Sequence, residues 1–110
     1  MAGSPYDDAQ KEISGYITLL NGEVDANKPA AVLIQLNSAI RQAVDLSRDL
    51  MHAQLITDAA ALAAAKTSLN SEASLLKKQS QDIKKTLSDV AVAAKVLSIA
   101  IQIATVVASL

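Results

Sequence analysis

The stretch VAVAAKVLSIAIQIATVVASL, Val90 to Leu110, decides how the rest of this sequence is read. A membrane span takes ~20 predominantly apolar residues, and this stretch has that length with Lys95 as its only charge. It reads either as a membrane segment or as the buried helix of a bundle. Periodicity separates the two. Leu69, Ala73, Leu76, Ile83, Leu87, Val90, Ala94, Leu97, Ile101, Ala104 and Ala108 fall on one seam of three- and four-residue steps, interrupted by Ser80. One residue later runs a polar stripe that includes Lys84, Ser88, Lys95, Ser98, Gln102, Thr105 and Ser109, broken by Ala91. A polar strip along the whole segment marks a bundle helix. Gln102 and the Ser/Thr strip would cost free energy in lipid, although Lys95 could snorkel.

Composition agrees with a helical core. Hydrophobic residues make up 51% of 110, yet Trp, Phe and Cys are absent and the aromatics are Tyr6 and Tyr16. The core must then be Leu, Ile, Val and Ala, and alanine is both the best helix former and small enough to let helices approach closely. A net charge of −1 gives no field to steer nucleic acid. Without cysteine there are neither disulfides nor thiol chemistry. The polar, acidic opening MAGSPYDDAQ is no signal sequence, which favours a soluble cytoplasmic protein.

Ser4 followed by Pro5 reads as an N-cap and first helical residue, with Asp7 and Asp8 in the first turn. Tyr6, Ala9, Ile13, Tyr16, Ile17 and Leu20 then share one helical face, weakened at Gly15 and ended by Gly22. The stretch NGEVDANKP is a loop, with Asn27 capping a second helix that holds Pro29 in its first turn. From Ala30 onward there is neither Gly nor Pro, so a turn is hidden in a run too long for one helix. KTSLNSEAS, where Thr67, Ser68, Asn70, Ser71 and Ser74 cluster, is the favoured place, because these side chains compete for backbone hydrogen bonds. Thr57-Asp58 is the second candidate.

The expected fold is therefore all-α: an antiparallel hairpin of two long helices plus a short N-terminal helix, over residues 5–21, 29–69 and 71–109, as a single domain. It becomes a four-helix bundle if the second helix breaks near Asp58. A further face of the last helix is charged at Lys78, Asp82, Lys85 and Asp89, then aliphatic at Val92, Val96, Ile99, Ile103, Val106 and Leu110. Its second half thus needs two partners, which the first helix helps to supply. The far end of such a hairpin is only two helices thick. Leu55, Leu62, Leu69, Leu76, Ile83 and Leu87 are accordingly expected to form an association seam for a second copy or another helical protein. On that frame Ile101→Asp unfolds the bundle, whereas Leu76→Asp impairs association.

Catalytic chemistry is nearly silent. The single histidine, His52, shares a helical face with Asp45 and Asp49, but a metal site in a bundle needs a matching motif from another helix and no second His exists. No nucleophile–base pair and no Gly-rich phosphate loop can be read. Lys77, Lys78, Lys84 and Lys85 lack the Arg and interleaved aromatics of a nucleic-acid face, though lysines beside an apolar segment also suit a membrane edge. The sequence thus predicts a non-enzymatic association protein with no cofactor and no metal. Its rival inserts the C-terminal helix into a membrane, as a tail anchor or a pore former, through Val96, Ile99, Ile101, Ile103, Val106 and Val107.

Overall fold

A computed structural model describes residues 4–24 and 27–110; residues 25 and 26, inside the expected Asn21–Pro29 loop, lie outside them. The described chain is all-helical, with four helices: α1 (Pro5–Glu23), α2 (Ala30–Gln54), α3 (Ala59–Thr86) and α4 (Val90–Ala108). No strand occurs among the described residues. The fold spans 47 × 28 × 18 Å. Its long dimension matches α3, since 28 residues at ~1.5 Å each give about 42 Å.

Local chemistry sets each boundary. Ser4 caps α1: its Oγ accepts from the Asp7 amide at 3.2 Å, while Asp7 accepts from the Ser4 amide at 3.4 Å. This reciprocal capping box stabilises a helix start by about 1 kcal/mol. Gly22 does not end α1; the helix continues to Glu23 and stops at Val24, whose backbone is extended. Ala30 opens α2, so Pro29 stands at the N-cap position instead of inside the first turn.

The hidden turn lies at the second candidate, not the first. α2 ends at Gln54, and Asp58 caps α3 by accepting from the Ala61 amide at 2.8 Å. KTSLNSEAS is helical throughout. Its polar side chains bond back to the preceding turn, Thr67 to the Ala63 carbonyl at 3.1 Å and Asn70 to that of Lys66 at 3.1 Å. At exposed positions such back-bonding is compatible with a continuous helix. A further break, absent from the sequence-based reading, falls at Leu87–Asp89. Leu87 is extended, and the Asp89 carboxylate accepts from the Ala91 and Val92 amides at 3.1 and 3.2 Å. The expected helices 29–69 and 71–109 are thus replaced by three.

α1 packs on α2 and α4, and α3 packs on α2 and α4; the backbones of the diagonal pairs stay apart. Each helix buries one stripe at three- and four-residue steps: Ala9, Ile13, Tyr16 and Leu20 on α1, and Leu36, Ala39, Ala43, Leu46, Leu50 and Ala53 on α2. On α3 the stripe is Leu69, Ala73, Leu76, Ser80 and Ile83, as the sequence seam predicts. Alternation of Ala with Leu and Ile lets facing layers interdigitate at helix separations of about 8–10 Å.

The break at Leu87–Asp89 resets the phase of α4. Its buried residues are Ala93, Val96, Ala100, Ile103 and Val107. The seam drawn across the break, through Val90, Ala94, Leu97, Ile101, Ala104 and Ala108, is corrected: Val90 is 76% exposed and Ile101 42%. A rotation of 100° per residue carries no register through a non-helical linker. The expectation that Ile101→Asp unfolds the bundle falls with it.

Candidate functional site

The six leucine and isoleucine residues expected to bind a partner are mostly used within the chain. Leu69, Leu76, Ile83 and Leu87 are buried in the shared core, Leu62 is packed against it, and only Leu55 is exposed. The expected two-helix-thick end does not exist, because the break before Asp58 brings α2 along α3. Leu76→Asp would therefore strike the core. Of the residues assigned to a membrane-active helix, Val96, Ile103 and Val107 are buried, Ile99 and Val106 half-buried, and Ile101 exposed.

Polar side chains join α2 to α3 along their seam. Thr86 Oγ1 donates to Gln35 Oε1 at 2.8 Å, and Gln79 Nε2 donates to Ser38 Oγ at 3.3 Å. At the other end of this seam the Glu72 and Asp49 carboxyl groups face each other. Burial, the neighbouring Asp49 carboxyl and the charge of Asp45 push the Glu72 carboxyl up to about 8. Its Oε2 is shielded from solvent, without a hydrogen-bond partner among the described residues. Asp49, His52, Ser68 and Glu72 line a cavity of about 320 Å³ there. Asp45 turns outward, 3.7 Å from Arg48. Among the described residues no group of three or more His, Asp or Glu is arranged to hold a metal ion.

Lys84 and Lys85, with Gln81 and Leu97, border a groove between α3 and α4. α4 is the one described helix long and apolar enough to cross a membrane. Apart from Lys95, its exposed side carries Ala, Ser, Thr, Gln, Val90 and Ile101.

The surface of α2 has a feature that the sequence reading missed. Ile34, Arg41, Val44, Arg48, Met51 and Leu55, with Asn37 between the first two, repeat the three-and-four spacing of the buried stripe on the solvent side. Ile34 is 70% exposed, Met51 55% and Leu55 80%. The strip runs about 32 Å along the helix at ~1.5 Å per residue. A second periodic stripe inside QLNSAIRQAVDLSRDLMHAQL was the signal available, but Arg41 and Arg48 make it read as an ordinary solvated face. Glu72 was missed for another reason: nothing pairs it with Asp49 until the α2–α3 register is known. No protein-family model, no curated protein and no solved structure matches this chain.

Proposed function

We propose that the chain is a single-domain, non-enzymatic helical-bundle protein that acts by association with another helix. The architecture we infer for it is a ring in the order α1–α2–α3–α4 with neighbours antiparallel. Support comes from the packing of each helix on its chain neighbours and of α4 on α1, and from the bonds that link α2 to α3. The observation that carries the association reading is the outward strip of α2. Half of the large apolar residues most exposed among the described residues lie on it, aligned at helical spacing. Single exposed apolar residues are ordinary, whereas an aligned row is the pattern by which one helix docks on another.

A test uses a designed amphipathic helical peptide with a Leu seam and neutral Gln flanks. Saturable binding of it, or reversible self-association in sedimentation, that is lost in Met51→Glu/Leu55→Glu is expected. A monomer that binds no amphipathic helix would refute the reading.

The second reading is insertion of α4 into a membrane, favoured by its length and apolar composition. The break at Leu87–Asp89 separates α4 from α3, and lysines flank its start. Co-sedimentation with liposomes that depends on Ile101 and Val90 would promote this reading over the first.

A further inference from the structure

We infer that the α2 strip receives a partner helix that carries carboxylates opposite Arg41 and Arg48. This deepens the association reading and rests on it. Ile34 anchors one end of the strip, Met51 and Leu55 the other, and Val44 sits between the two arginines. Arg41 makes no ion pair among the described residues. Arg48 has one, to Asp45 at 3.7 Å, with the two side chains 70% and 47% exposed. A contact this open is worth little, so both guanidinium groups keep donors for a ligand. Planar guanidinium groups bind carboxylates through paired hydrogen bonds, and apolar anchors on either side exclude water from them.

Charge argues against the other occupants. A second copy laid along the strip in either direction brings four guanidinium groups into one seam, with the two Asp45 carboxylates nearest them and Asp49 drawn toward Glu72 on the α3 side. Like charges so placed disfavour that pairing. An anionic lipid surface is broad and would meet the acidic flank on the α3 side, where Asp45 stands and where Asp82 borders a groove with Ile34. A helix about 10 Å wide can instead set its acids on the centre of the strip and its bases toward that flank.

The test compares three designed helical peptides that share a Leu seam and differ in carrying Glu, Gln or Lys opposite the arginines, titrated by fluorescence anisotropy. The Glu peptide is expected to bind at least about tenfold more tightly than the Lys peptide, with the gap narrowing as salt rises. Arg41→Glu with Arg48→Glu should reverse the order while leaving the thermal transition unchanged, since both side chains are at the surface. Equal affinities of all three peptides, or an order that survives the charge reversal, overturn the inference and leave the association reading standing. So does a dimer held by the strip. Binding to phosphatidylcholine–phosphatidylserine vesicles that the double variant loses, with no peptide bound, overturns it in favour of lipid. A monomer that binds no peptide overturns the inference and the association reading together.

Discussion

The Tyr16 hydroxyl lies 2.6 Å from Ser80 Oγ, joining α1 to α3 across the diagonal of the bundle. Both residues are fully buried, and Ser80 also donates to the Leu76 carbonyl at 2.8 Å. The one polar residue that interrupts the α3 seam is therefore the partner of the one aromatic ring in the core. Burial pushes the Tyr16 hydroxyl up to about 12, with the Ser80 hydrogen bond opposing that rise. Backbones on this diagonal do not touch, so only a side chain as long as tyrosine can bridge it.

Removing the two halves of this pair has unequal effects. Tyr16→Phe should cost about 1 kcal/mol, because Ser80 keeps its bond to Leu76. Ser80→Ala strands a buried phenol and should cost about 1–3 kcal/mol, less the gain in helix propensity. The double variant should be no less stable than Ser80→Ala alone. Urea unfolding of the four proteins measures the coupling; strictly additive losses would mean that the bond contributes nothing to the fold.

Ile101 and Ile103 separate the two phases of α4. Ile103 is fully buried and Ile101 is 42% exposed. Ile103→Asp places an unpaired carboxylate in the core and should abolish the cooperative thermal transition. Ile101→Asp should shift it by less than about 1 kcal/mol. The reverse order in circular-dichroism melts would restore a seam that runs unbroken through Leu87–Asp89.

The pH dependence of stability should carry the mark of Glu72. Its carboxyl titrates near 8 in the fold against an ordinary 4.5, so the folded state holds the proton more tightly. Stability from this group is complete below about 4.5 and is lost as pH rises through about 8. Thermal melts should fall between pH 5 and pH 9, and Glu72→Gln should flatten that fall and melt higher at pH 9. A variant with the wild-type slope would place the source of the dependence elsewhere.

Gly15 sits inside α1, and a methyl group added there meets nothing within 4 Å. Gly15→Ala should therefore stabilise the protein by roughly 0.5–1 kcal/mol through helix propensity and a less free unfolded chain. A lower urea midpoint for the variant would contradict this.

These particular residues also show what was legible beforehand. The stripes of α1 and α3 could be read from spacing, because apolar residues there alternate with polar ones and only one phase fits. α4 offers Ala, Val and Ile on several faces, so a three-and-four series can be drawn at more than one phase. Leu87 and Val90 are three residues apart and appeared to continue a seam that a helix break had ended. Choosing between Thr57-Asp58 and KTSLNSEAS required knowing which side chains cap and which bond back within a helix. Asp58 and Asp89 cap; Thr67 and Asn70 bond back. Pairings such as Tyr16 with Ser80, 64 residues apart, depend on tertiary register that no local pattern carries.

The most direct test of the central claim is to map amide shifts by NMR as the Gln-flanked amphipathic peptide is added to labelled protein. The account predicts changes concentrated between Ile34 and Leu55 on α2, with α4 undisturbed. Changes centred on Val90–Ala108, or none at saturating peptide, would contradict it.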